Sequence, residues 1–119
     1  MRPETPALLW DAGTAAHLIA TFISRRSFSD YTADPMLRSA VERQFEIVGE
    51  ALNRLRKVDP QTAARIPDLA RVVAFRNILA HGYAVVDHAI VWQLATQRLP
   101  ELAEVVRNLS AEVNGSAET

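Results

Sequence analysis

The stretch DPMLRSAVERQFEIVGEALNRL, Asp34 to Leu55, opens on an aspartate and a proline and then repeats apolar residues at Leu37, Val41, Phe45, Val48, Leu52 and Leu55. The steps are of three and four residues, the spacing that returns side chains to one face of an α-helix. Asp34 reads as the N-cap and Pro35 as the first helical residue, where a missing N–H costs nothing. A stripe this long predicts a helix packed against partners along its whole length, with Gly49 letting a neighbouring backbone come close. Glu46 and Glu50, with Arg43 and Arg54, lie off the stripe. The two carboxylates could fix Arg43 or Arg76 across helices, or simply form a salt-bridged surface.

Working outward, Leu8 to about Ile23 carries a second helical stripe, and Ser24 to Asp34 reads as a loop. Pro60 begins a short helical turn. Pro67 is expected to open a third long helix, with Leu69, Val72, Val73, Phe75 and Ile78 on its apolar side and an end near Gly82. Asp87 caps a last segment that continues through Leu94 to Leu109, with a kink expected at Pro100. Nothing in the chain reads as a strand or an internal repeat. The expected fold is all-α, an up-and-down four-helix bundle with a short extra helix. All 119 residues fit one domain, with 1–6 and 114–119 as flexible ends.

Composition narrows the function. The chain is 49% hydrophobic and 23% charged with only 4 Gly, which suits a globular protein. A formal charge of -1 gives no general basic field for nucleic acid, so any RNA contact must be local. Of the 13 basic residues all but Lys57 are arginine, the side chain that grips phosphate with two parallel N–H donors. The absence of cysteine removes disulfides, zinc-thiolate sites and thiol nucleophiles. The N-terminus lacks a signal-peptide pattern and no apolar run approaches the roughly 20 residues of a membrane span. A soluble cytoplasmic protein is expected.

The chemistry points to RNILAHGY, Arg76 to Tyr83. An arginine and a histidine at one phosphate can cleave RNA without a metal. Imidazole, titrating near about 6.5 in water, can take the proton of a 2′-hydroxyl or return one to the leaving 5′-oxygen. Guanidinium stabilises the charge that builds on the phosphoryl oxygens. Five residues on an unbroken helix place two side chains about 140° apart, so Arg76 and His81 converge only if the helix ends or a second chain contributes. One imidazole cannot be base and acid at once, which favours a two-fold dimer with two copies of the pair in one cleft. The bare Arg–His spacing arises easily by chance. A helix-end arginine and histidine that complement the macrodipole would look the same.

The whole string is more specific. R-N-I-L-A-H-G-Y resembles the R-N-x-x-x-H-x-Y signature of the HepT family of HEPN-domain toxins, which are paired with minimal nucleotidyltransferase (MNT) antitoxins. RQFEIVGEALNRL, Arg43 to Leu55, resembles the family's second-helix segment, and Ala84 to Leu102 its segment after the motif; the resemblance runs from about Leu8 to Leu109. It implies a HEPN bundle, a homodimer and a metal-independent endoribonuclease of a type VII toxin–antitoxin system. Arg76 and His81 would be the catalytic pair, Asn77 an auxiliary active-site residue, and Tyr83 the tyrosine that the antitoxin adenylylates to silence the nuclease. No cofactor and no metal are implied. A HEPN module that scaffolds a nucleotidyltransferase without cutting RNA is the alternative, and a dimeric regulatory bundle a third reading.

Other residues have quieter expectations. His17 reads as a helix histidine and His88 as exposed after the Asp87 cap. Arg25 and Arg26, with Arg38, could form a basic rim for RNA or a partner, as could Arg43. Trp10 could stack on a base, whereas Trp92 reads as core or dimer interface. With three widely spaced histidines, no metal site is expected.

Overall fold

A computed structural model describes residues 1–81 and 86–118. All regular structure among them is helical: α1 (Thr5–Ile23), α2 (Phe28–Ala33), α3 (Pro35–Val58), α4 (Pro60–Ala63), α5 (Leu69–His81), α6 (His88–Gln93) and α7 (Leu99–Glu118), with a π-helical turn, Leu94–Arg98, joining the last two. The all-α bundle expected from the apolar spacing is what the chain forms.

Helix α3 is the organising element. Asp34 caps it by accepting from the N–H groups of Met36 and Leu37, both at 3.1 Å. Its stripe of Leu37, Val41, Phe45, Val48, Leu52 and Leu55 is buried, together with Gly49 and Ala51. Helices α1 and α5 pack against α3, and α7 covers α1. Burial of this shared apolar core is the main force holding the helices together.

Three local expectations are corrected. The segment Ser24–Asp34 is not all loop, because Ser27 and Asp30 form a reciprocal capping box that starts α2. The S-x-x-D spacing was readable; what it buys is the burial of Tyr31, which is 0% exposed. Helix α5 begins at Leu69 rather than Pro67, since Asp68 adopts a left-handed φ of 60°, a conformation that aspartate tolerates better than most residues. The disturbance expected at Pro100 is taken up one turn earlier. Proline has no N–H to give, and the backbone widens so that the Leu99 N–H reaches the Leu94 carbonyl. Helix runs from Thr5 at one end of the chain and to Glu118 at the other.

The N-terminal end is tied down by Asp59, which is 5% exposed. Its carboxylate accepts from the Thr5 and Thr62 hydroxyls at 2.6 and 2.7 Å, from the Thr62 N–H at 3.1 Å and from the Arg2 N–H at 3.3 Å. Burial pushes the Asp59 carboxyl up, but these donors together outweigh it and hold the group well below the usual carboxylate range. A depressed folded pKa contributes stability above the unfolded value of about 3.9 and loses it as pH falls through the folded value. Asp59→Asn is therefore expected to lower the thermal midpoint at pH 7 by about 4 °C or more. Its decline between pH 5 and pH 3 should be shallower than that of the wild type, as measured by circular dichroism melts.

Candidate active site

Arg76 sits on the side of α5 that faces α3. Val72 and Val73 are buried one turn before it, and the Phe75 ring meets Phe45 of α3 edge-on, with centroids 5.4 Å apart. That aromatic pair locks the two helices together at the residue preceding Arg76. Gly49 completes the approach. A Cβ at this position would lie 2.2 Å from Cβ and 2.7 Å from Cγ of Arg76, and 3.3 Å from the Val72 carbonyl oxygen. The close approach anticipated at Gly49 is therefore made by the stem of Arg76 itself.

The guanidinium is held at both ends. Its Nη2 pairs with the Glu50 carboxylate, and its Nη1 donates to Asn77 Oδ1 at 3.2 Å. It borders a cleft of about 250 Å³ between α1, α3 and α5, with Leu8, Ile47 and Ala51 on the apolar side and Asp11, Arg43, Glu46, Glu50 and Arg54 on the polar side. Arg43 pairs with Glu46 at 3.2 Å. Of the two carboxylates weighed for crossing between helices, Glu50 reaches Arg76 and Glu46 stays with Arg43 on its own helix.

His81 is the exposed last residue of α5. The helix remains unbroken from Arg76 to His81, so the two side chains leave it about 140° apart. Asn77 accepts from the Arg76 guanidinium and precedes His81 by four, the spacing that makes it a neighbour of His81 on the helix surface. One chain thus presents an arginine anchored against α3 and a histidine on a different face. Gly82 and Tyr83 lie outside the described residues.

The remaining candidates divide clearly. Arg43 lines the cleft; Arg25 and Arg26 are not among its lining residues. Arg25 ends α1 in a left-handed conformation with φ of 62°. Arg26 approaches Asp34 at 4.0 Å, and the Arg38 guanidinium donates to the Thr32 carbonyl, so this cluster braces the corner from α1 to α3. Trp10 is 71% exposed and borders a separate groove of about 610 Å³ between α1 and α7. Trp92 packs with Tyr31 at 5.5 Å and Phe28 at 6.3 Å between ring centroids, in keeping with a core role. His88 is half-buried rather than exposed, edge-on to Tyr31 at 6.1 Å, because α2 brings Tyr31 beneath it.

Glu50 is the site residue that reading the sequence left unresolved. Arg43, Arg76 or a salt-bridged surface were all open to it, and only the packing of α5 shows that Arg76 takes it. Among the described residues, no three His, Asp or Glu side chains gather in a metal-binding arrangement, and no helix is long and apolar enough to cross a membrane.

A family model described as "Ribonuclease HepT-like" matches residues 13–109. A protein of Thermococcus cleftensis named "Probable ribonuclease HepT" is 32% identical over 98 residues, covering 79% of this chain and 84% of the relative. A Caldanaerobacter subterraneus subsp. tengcongensis protein named "Putative RNase" is 32% identical over 83 residues, covering 70% and 73%. One from Methanocaldococcus jannaschii with the same description is 26% identical over 103 residues, covering 87% and 94%. No solved structure matches the chain. With the family model spanning most of the bundle, including α3, α5 and the Arg76–His81 segment, the chain belongs to the HepT-like ribonuclease family.

Proposed function

We propose that the chain is a cytoplasmic, metal-independent endoribonuclease, the toxin of a HepT–MNT pair, acting as a homodimer whose two copies of Arg76 and His81 share one cleft. The observation that carries the reading is the placement of the pair on α5: Arg76 is anchored on Glu50 and Asn77 at the α3 side, while His81 is exposed at the helix end. An unbroken helix between them favours a site completed by a second copy. Ile78 and Ile90, 49% and 48% exposed, line a groove of about 460 Å³ beside the motif.

In this reading the RNA phosphate sits between Arg76 of one subunit and His81 of the partner subunit. The imidazole takes the 2′-hydroxyl proton, the 2′-oxygen bonds to phosphorus, and the bond to the 5′-oxygen breaks, leaving a 2′,3′-cyclic phosphate and a 5′-hydroxyl. Arg76 stabilises the extra charge on the phosphoryl oxygens. The second His81 is available to protonate the leaving oxygen. DNA, lacking the 2′-hydroxyl, would not react.

The purified dimer is expected to cut RNA in EDTA and to yield cyclic-phosphate ends; intact RNA under these conditions would favour the scaffold reading. Regulation falls to Tyr83, two residues beyond His81. An AMP group there would add an anionic phosphate and a bulky base beside the site, opposing RNA by charge and occupancy. With the MNT partner, ATP and magnesium, mass spectrometry is expected to show a gain of one or more AMP units and loss of cleavage. A Tyr83→Phe variant modified to the same extent would show that the acceptor lies elsewhere.

A further inference from the structure

We infer that Glu50 is the positioning residue of the site: from α3 it fixes the Arg76 guanidinium and so sets where the scissile phosphate is held. The inference rests on the ribonuclease reading above and adds to it a residue outside the Arg76–Tyr83 segment.

An arginine side chain has several freely rotating bonds, and its head is useful in catalysis only where its direction is fixed beforehand. Two consecutive residues of α3 supply that order here. Gly49, by lacking a Cβ, lets Cβ and Cγ of Arg76 press onto the α3 backbone, which fixes the stem. Glu50, the next residue, holds Nη2, which fixes the head. Asn77 takes Nη1 at 3.2 Å. A guanidinium offers five N–H donors, so these two acceptors orient it while leaving donors for a phosphate.

The neighbouring carboxylate does not duplicate this role, because Glu46 is paired with Arg43. Nor does the pair have the look of a stabilising bond. Glu50 is 50% exposed and Arg76 29% exposed, and ion pairs this open to water contribute little to folding. Its chief physical consequence is the ordering of one arginine. A carboxylate beside the phosphate site would repel substrate if it stood alone; neutralised by Arg76, it directs the remaining donors outward.

The test compares Glu50→Ala and Glu50→Gln dimers on an RNA oligonucleotide in EDTA, with Arg76→Ala as the control. Glu50→Ala is expected to lower kcat about 30-fold with KM within about threefold of wild type. Its thermal midpoint should stay within about 2 °C of wild type. Glu50→Gln keeps an oxygen that accepts from guanidinium and should recover kcat to within about fivefold of wild type. An Ala variant as active as wild type, a Gln variant no better than Ala, or a rate loss that merely follows a falling midpoint would overturn the inference.

A second measurement does not depend on cleavage. The Arg76 Nε–H resonance, assigned by its absence in Arg76→Lys, is expected to be distinct and slowly exchanging in wild type and Glu50→Gln, and to merge with the exposed arginines in Glu50→Ala. An unchanged resonance in Glu50→Ala contradicts the positioning role. Failure of the wild type to cut RNA, with that resonance behaving as expected, would count against the ribonuclease reading while supporting the ordering of Arg76 by Glu50.

Discussion

His81→Ala is expected to lower the rate of RNA cleavage by on the order of a thousandfold, and Arg76→Ala by a similar factor, each with the protein still folded. The two losses have different origins. His81 is exposed at the end of α5, so its truncation removes the proposed proton carrier and little buried surface. Arg76 is 29% exposed, with its stem against Gly49, so its truncation removes the charge on the phosphate and a few apolar contacts as well. Arg76→Lys separates these effects. It keeps a stem and a positive charge but cannot bridge Glu50 and Asn77 with two nitrogens of one planar group, and a loss of about tenfold or more is expected. Single-turnover cleavage assays, each matched by a thermal melt, measure both quantities.

The second large effect is expected at Gly49. A methyl group there would sit 2.2 Å from Cβ of Arg76, far inside van der Waals contact and against an atom that cannot swing aside. Helix α5 must move off α3, at a cost of about 2 kcal/mol, typical of overpacked cores. For a chain of this size that corresponds to a fall in Tm of roughly 8 °C. Displacing Arg76 by about an ångström should also cost on the order of a hundredfold in rate. Gly115→Ala and Gly13→Ala are the contrasts, since the first meets nothing within 4 Å and the second only Val106 at an ordinary 3.4 Å. Both should be neutral or slightly stabilising, because alanine is the better helix former. Equal behaviour of all three alanine variants would show that the α3–α5 approach does not depend on the missing side chain.

Much of the bundle was legible because its helices follow apolar spacing. The stripe from Leu37 to Leu55, the caps at Asp34 and Asp87 and the close approach at Gly49 all appear in the structure. What escaped reading was set by local conformations that compete closely in energy. The capping box of Ser27 and Asp30 looked like loop residues because the helix it starts has only six residues. Asp68 delays α5 through one left-handed torsion, and Pro100 acts through a widened turn that begins six residues before it. His88 was misjudged for a related reason: its burial depends on Tyr31, brought beneath it by that unforeseen helix.

The candidate site was legible in part. Arg76, Asn77 and His81 could be named from one short segment, and their divergence around the helix follows from spacing alone. Glu50 could be suspected but not assigned, because its partner lies 26 positions away and pairing across helices depends on how α5 is seated. The basic residues differ in where the fold places them. Arg26 and Arg38 engage Asp34 and Thr32 at the α1–α3 corner, and among the arginines considered for a basic rim Arg43 is the one that lines the cleft.

The central claim is that Arg76 and His81 cleave RNA as a pair completed across two subunits. The most direct measurement is cleavage in EDTA by Arg76→Ala and His81→Ala proteins, unfolded together in equal amounts and refolded so that mixed dimers form. A mixed dimer keeps one intact Arg76 facing His81 of the partner subunit and leaves only water to protonate the 5′-oxygen, so activity is expected to recover in part, rising at least about tenfold above either variant refolded alone. If the wild type cuts RNA while the mixture stays as inactive as its two components, the shared site is wrong.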